Sequence, residues 1–341
     1  MATMQTFAIG LLTALGCASD ASSQPKPGAA PARESVLAPL AGAPMTTAVK
    51  QLVPQTQGTH LVLAGARLAW LHGGAIELRD LASHQRLGQV PVAGTVALAA
   101  DGGALIAVAS DLAHRQVRVI ELGAASSAVT EHAVASAAAF AGAERLHATR
   151  DRLFAASKTA LELYQRTPGA ELARHVGWQR DEAKTFTGAG DAVYFHDGAG
   201  YQRVTADGTA VRFASSDESP TQLAPGPSPD SLWATTGDEL HLVQLANGAA
   251  TTTARIKLPG IYHLAAAGDA AAVVVIEMRA GVPSKVTVSL IGHDGGVRWT
   301  AEVPPPKQAV GWIAGSASHV ALAFGDELHA WSTRAGAPVA P

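Results

Sequence analysis

From about residue 55 onward the chain alternates apolar and polar residues in short runs closed by turn signals. One apolar-polar-apolar run keeps returning. It reads Ile76-Glu77-Leu78, Val117-Arg118-Val119 and Leu161-Glu162-Leu163, then a weaker copy from Tyr201, then Leu240-His241-Leu242, Val286-Thr287-Val288 and Leu328-His329-Ala330. Their starts lie 39 to 46 residues apart. A period of two sends successive side chains to opposite faces of a strand. No long window outside the first sixteen residues sustains helical spacing.

The repeat is larger than one strand. Gly237-Asp238-Glu239-Leu240-His241 recurs unchanged as Gly325-Asp326-Glu327-Leu328-His329, 88 positions on, which is two units. The first unit predicts four strands: Leu61-Val62-Leu63-Ala64, Leu68-Ala69-Trp70-Leu71, Ile76-Glu77-Leu78-Arg79 and Arg86-Leu87-Gly88-Gln89-Val90. Asp101-Gly102, Asp207-Gly208, Asn247-Gly248 and Asp294-Gly295 mark hairpins and suit type I′ turns, which need positive φ. A period of about 40 to 50 residues with four strands is that of a propeller blade. The expectation is an all-β fold, a seven-bladed β-propeller of four-stranded antiparallel blades over residues 45–341. Radial packing covers both faces of every blade and leaves only short edges. The small side chains of Ala270-Ala271-Ala272-Val273-Val274-Val275-Ile276 suit narrow inner strands. The last unit keeps only Ala337 to Ala340 for its outer strand, so residues 45–54 are expected to complete that blade.

The units carry a resemblance. Gly65 to Leu81, with Arg79-Asp80-Leu81 where Trp-Asp-Leu is usual, resembles the WD40 and YVTN-type blade. Leu290-Ile291-Gly292-His293-Asp294-Gly295-Gly296-Val297-Arg298-Trp299 is similar to a quinoprotein-type blade. The resemblance implies the propeller superfamily and assigns no subfamily.

The N-terminus has a different pattern. Phe7 to Gly16 is an apolar core of signal-peptide length, shorter than a membrane span. Cys17, the one cysteine of the chain, follows it in Thr13-Ala14-Leu15-Gly16-Cys17. This resembles the bacterial lipobox, which implies lipidation at Cys17 and residues 1–16 as a lipoprotein-type signal peptide. Met1 to Gln5 carries no Lys or Arg, where the lipobox pattern expects one. The alternatives are a secretory peptide cut near Ala18, or a cytosolic tail with a chance cysteine. Residues 17–44, rich in Ala, Pro and Ser, read as a flexible tether. Ala18-Ser19 after the cysteine favours the outer membrane under the enterobacterial sorting rule. The expected place is therefore a bacterial cell envelope, periplasmic or surface-exposed.

Composition narrows the chemistry. A net charge of −3 without any basic run argues against nucleic acid, because phosphate binding needs clustered cations. The 13 histidines are scattered singly, as at His60, His72, His84, His114, His132 and His147, with no His-Glu-x-x-His, Cys-x-x-Cys or EF-hand pattern. Strand alternation sets His241 and His329 opposite the leucine face, in a solvated or inter-blade place. Asp238-Glu239, Asp326-Glu327, Asp181-Glu182 and Asp217-Glu218 read as turn chemistry. No nucleophile elbow, P-loop or Gly-x-Gly-x-x-Gly is present. Trp70, Trp178, Trp233, Trp299, Trp312 and Trp331 read mainly as blade packing.

The expectation is a monomeric, non-catalytic scaffold with no catalytic residue, cofactor or metal, bound to the membrane only through its lipid. Its partner would be an envelope protein or extracytoplasmic ligand. The alternatives are a lactonase- or lyase-like propeller enzyme with an axial divalent cation, and an envelope sensor or carbohydrate-binding module.

Overall fold

Twenty-eight strands follow one another among the described residues, and no helix interrupts them. The computed structural model describes residues 60–91, 95–101, 104–111, 116–122, 129–134, 145–149, 151–156, 160–165, 173–179, 185–279, 282–306, 311–324, 327–334 and 338–339. Residues 1–16, Cys17, the tether, the 45–54 segment, Asp181-Glu182 and Gly325-Asp326 lie outside them.

The strands fall into consecutive antiparallel fours. The first group is β1 (Leu61–Ala64), β2 (Arg67–His72), β3 (Ala75–Asp80) and β4 (Gln85–Pro91). Next come β5 (Thr95–Asp101), β6 (Ala104–Asp111), β7 (Gln116–Leu122) and β8 (Val129–Val134). The third group is β9 (Arg145–Ala148), β10 (Arg152–Ala156), β11 (Ala160–Gln165) and β12 (Ala173–Gln179). The fourth is β13 (Thr185–Ala189), β14 (Ala192–His196), β15 (Gly200–Thr205) and β16 (Ala210–Ala214). The fifth is β17 (Gln222–Pro225), β18 (Ser231–Thr236), β19 (Glu239–Ala246) and β20 (Ala249–Lys257). A single parallel bridge, Ala214 to Ala249, joins the fourth and fifth groups into one eight-stranded sheet. The sixth is β21 (Ile261–Ala267), β22 (Ala270–Arg279), β23 (Val282–Ile291) and β24 (Val297–Val303). The last is β25 (Gly311–Gly315), β26 (His319–Phe324), β27 (Glu327–Ser332) and β28 (Pro338–Val339).

Every copy of the recurrent apolar-polar-apolar run falls on the third strand of its group, from β3 to β27. The four strands expected for the first unit match β1 to β4. Pro338–Val339 supplies the outer strand of the last group, pairing Trp331 with Pro338 and Ala330 with Val339. The alanine- and valine-rich run from Ala270 is the second strand of its sheet, one place out from the innermost.

The turn expectation needs correction at two sites. Asn247-Gly248 forms a two-residue connection with φ of 51° and 74°, the both-positive signature of type I′. At Asp207-Gly208 and Asp294-Gly295 only the glycine is left-handed. These loops are longer, and the Gly208 and Gly295 amides donate to the Thr205 and Gly292 carbonyls, closing four-residue turns. Such turns place the left-handed residue last, and glycine fills that place.

Each sheet is apolar on both faces, so only the neighbouring sheets can cover it. Ile76 and Leu78 of β3 pack with Leu98, Leu105 and Ala107 of the second group. Leu161 and Leu163 do the same against Phe186 and Val193, and Val286 and Val288 against Val320 and Leu322. The series closes where Leu61, Leu63, Leu68 and Trp70 meet Ala314, Ala321, Ala323 and Ala330. Ser316 Oγ donates to the Gly65 carbonyl at 2.7 Å across the same seam. Each fully buried Leu, Ile or Val contributes about 1.5–3 kcal/mol. Trp233 and Trp331 are buried in these seams as well, while Trp299 and Trp312 are only partly covered.

The innermost strands approach so closely that a methyl group does not fit. A Cβ on Gly315 would sit 2.0 Å from the Ala266 carbonyl oxygen of β21. Gly315→Ala is therefore expected to lose about 1–3 kcal/mol of stability in urea unfolding, as overpacked sites do. A midpoint equal to wild type would contradict this packing.

Candidate functional site

The first strands meet at the axis. β1, β5, β9, β13, β17, β21 and β25 each contact the next in order, and β25 returns to β1. They all run in one direction, because starts meet starts and ends meet ends. His60, just before β1, stacks at 4.6 Å on Trp312 at the start of β25, and Gln222 at the start of β17 bonds residues 262 and 264. Between them lies a cavity of about 300 Å³. Its wall is mostly small and apolar, with Ala99, Ala224, Ala266 and Ala314 among its residues. Arg145, His147 and Thr187 are its polar members, and none of the described residues lining it is Asp or Glu.

Local sequence explains why β9 can present these groups. The absent side chain at Gly188 of β13 makes room for the His147 ring, since a Cβ there would lie 2.0 Å from Cγ. His147 Nε2 lies 2.9 Å from the Gly190 carbonyl, which assigns its proton to Nε2 and makes it the donor. Arg145, the first residue of the same strand, stands at the mouth where the inner strands begin.

The opposite wall of this mouth comes from β21. Gln222 clamps that strand by donating from Nε2 to the Tyr262 carbonyl at 2.8 Å and accepting the Leu264 amide at 3.0 Å. A register slip between Ile261 and His263 leaves Tyr262 turned outward. Burial pushes the His263 imidazole down to about 4, and the positive charge of Arg145 adds to the effect. The two residues belong to the sixth and third groups, so the charge acts across the axis. His263 Nε2 is buried and has no hydrogen-bond partner among the described residues. Burial also lowers His60.

The polar residues singled out in the sequence occupy a different place. In β3, β11, β19, β23 and β27 the apolar pair packs on the following group, as Tyr201 of β15 does, so the residue after its first member faces the preceding one. Glu77, Glu162, Gln202 and His241 are all buried there. Most are satisfied by a neighbour two positions along, which a strand sets on the same face. Arg79 donates to Glu77 at 2.5 Å, Tyr164 donates to Glu162 at 2.5 Å, and His241 Nε2 lies 2.9 Å from Glu239. His329 stands 3.8 Å from Glu327 in the equivalent arrangement. Gln202 instead donates to Asp197. Burial works to raise Glu77, but bonds from Arg79 and His72 with the charges of Arg79 and Arg86 outweigh it and hold the carboxyl below its usual range.

His241 is thus an interface residue at 5% exposure and not a solvated one. Glu239 bonds His241, a role beyond the turn chemistry read for its pair, while Asp238 remains in its turn and Glu327 stays beyond hydrogen-bond reach of His329. Asp217 bonds Thr252 and Arg255 of β20. No three His, Cys, Asp or Glu come together in a metal-holding group among the described residues. Arg145 and His263 were not legible as a pair. Their only signal is a shared position at the start of a first strand.

No protein-family model matches the chain, and no curated protein matches it. Solved structures do. The β-propeller domain of Cps50 (Swd1) from Myceliophteria thermophila superposes with a TM-score of 0.57 at 13% identity, covering 81% of this chain and 96% of that one. Hsv2 from Kluyveromyces lactis gives 0.55 at 7% identity, over 78% and 90%. At these identities the likeness concerns the fold, and the fold is a β-propeller of the WD40-like kind.

His263 sets a pH dependence. Its folded value lies below the ordinary imidazole value, so between the two the unfolded chain binds more protons and stability rises with pH. Urea unfolding of the wild type at pH 5 is expected to show on the order of 1–3 kcal/mol less stability from this group than at pH 7.5. His263→Asn should remove that difference, and an unchanged slope would show that His263 does not cause it.

Proposed function

We propose that this chain is a non-catalytic binding scaffold, a seven-bladed β-propeller held in a bacterial cell envelope by a lipid on Cys17. Its partner is an envelope protein or extracytoplasmic ligand, met on the face where the inner strands begin. Seven consecutive fours of strands and the contact between the first and last groups support the blade count.

One observation carries the binding role. β22 and β23 are ten residues long, against five to eight in the other second and third strands. Their ladder continues to the pair Arg279 and Val282, so this hairpin stands out from the strand-start face. It carries Met278 and Val282 at 43% and 60% exposure, and Tyr262 is exposed at the same end of the sheet. Long, apolar, uncovered side chains gathered on one projection are what a partner interface uses. The interior polar groups, by contrast, are engaged in seams between sheets.

Affinity capture from solubilised envelope tests the role. Wild type is expected to retain a partner that a Met278→Asp, Val282→Asp double variant loses, with the two circular-dichroism melts coinciding. Equal capture by both would remove the hairpin as the binding element. The anchor has its own test: wild type should take up a palmitate analogue, and Cys17→Ala should leave the membrane fraction. An unlabelled wild type refutes lipidation.

The last blade is proposed to be completed by residues 45–54, beside a β28 of only two residues. Deleting 45–54 should lower the melting temperature by many degrees, and an unchanged melt would exclude that closure.

A further inference from the structure

We propose that the partner is held by strand addition: an extended segment of it pairs antiparallel with the open edge of β22 at Glu277, Met278 and Arg279. This rests on the reading of the β22–β23 hairpin as the binding element, and adds how that element grips and what it selects.

Three observations converge on that edge. First, the ladder stops short on both sides of the hairpin. β21 ends its pairing with β22 at Ile261 and Val275, and β24 ends its pairing with β23 at Val286 and Val303. Glu277, Met278 and Arg279 are exposed, and among the described residues only β23 bonds their backbone. A strand sends the N–H and C=O groups of alternate residues to opposite sides. Ser284 Oγ of β23 donates to the Glu277 carbonyl at 2.9 Å, so Glu277 faces β23 and Met278 turns its groups to the open side. The register partner of Met278 is Pro283, which has no N–H to offer it.

Second, the two edges of the hairpin are unequal. The unpaired stretch of β23, Val282 to Lys285, contains a proline and a lysine, and both blunt an edge against pairing. From Glu277 to Arg279 the edge of β22 has neither.

Third, a row of charges stops at the open edge. Glu277 is the register partner of Lys285, but Lys285 bonds Glu302 of β24 at 2.6 Å. Glu277 therefore has no ion pair of its own, and neither has Arg279, two residues on and on the same face, among the described residues.

The edge selects a sequence. An antiparallel strand sets one residue opposite each of Arg279, Met278 and Glu277, in that order. Opposite charges that face each other across strands stabilise, and like charges repel. The segment thus reads acidic, apolar, basic from its N-terminus, with the apolar side chain beside Met278. Main-chain bonds supply the grip, and alternate side chains supply the choice.

Synthetic peptides test this on the full chain by fluorescence anisotropy. The probe carries Glu-Val-Lys between flanking threonines. A second peptide exchanges the Glu and Lys, and a third carries a methyl group on the valine nitrogen. The first is expected to bind saturably in the high micromolar to millimolar range. The exchanged peptide should bind about fivefold weaker or more. The methylated one should lose about tenfold or more, because a main-chain donor is gone. Glu277→Lys combined with Arg279→Glu should invert the preference between the first two. Absent or non-saturable binding of the first, equal binding of the exchanged peptide, or undiminished binding of the methylated one would each overturn the proposal. Should the double variant fail to fold, the wild-type comparison of the three peptides still decides it. Failure of the peptides leaves capture by the hairpin standing, whereas equal capture by wild type and the aspartate double variant removes the hairpin reading itself.

Discussion

Each four-stranded sheet in this protein has two apolar faces, and only the sheets on either side can cover them. That demand propagates around the chain until the last group meets the first, where Leu61, Leu68 and Trp70 pack against Ala321, Ala323 and Ala330. The inner strands pay the steric cost of the arrangement. Seven strands crowd one axis, so backbone there approaches backbone, and side chains shrink to glycine and alanine at Gly188, Gly315 and Ala266. The same crowding leaves a narrow channel instead of a closed core.

Face-to-face packing also dictates where polar groups go. A third strand must alternate, so every apolar pair aimed at the next sheet brings one residue aimed at the previous one. When that residue is Glu77, Glu162 or His241, it enters a seam with little water, where a lone polar atom is costly. The remedy lies within the strand itself: a partner two positions away shares the face, as Arg79, Tyr164 and Glu239 do. Much of the chain's conspicuous polar chemistry is accordingly structural.

This explains what the sequence disclosed. The third strand is legible because its apolar pair and its polar centre are both required, and the requirement returns in each unit. Asn247-Gly248 is legible because a two-residue hairpin admits few residues. Asp207-Gly208 and Asp294-Gly295 carry nearly the same dipeptide but close longer loops, and loop length lay outside what the dipeptide encodes. The first strand of the opening unit was legible as Leu61-Val62-Leu63-Ala64, but the small residues that crowding imposes at the axis were read in the Ala270 to Ile276 run, which is a second strand. Arg145 and His263 are far apart in the chain and meet only because the ring closes, so their relation existed in no window of sequence.

Closure therefore divides the polar residues into two kinds. Those on third strands enter the seams, where residues of their own sheet bond Glu77, Glu162, Gln202 and His241. Those at the starts of first strands face an opening that no sheet fills, since the sheets radiate outward from it. Arg145 and His263 belong to the second kind, and the strands that carry them are braced: β9 through His147 seated over Gly188, and β21 through the Gln222 clamp. The β22–β23 hairpin is the contrary case. It extends past the last neighbour able to cover it, and its exposed Met278 and Val282 gain packing only from outside the chain. The ring thus carries a narrow channel mouth and a projecting apolar edge on the same face.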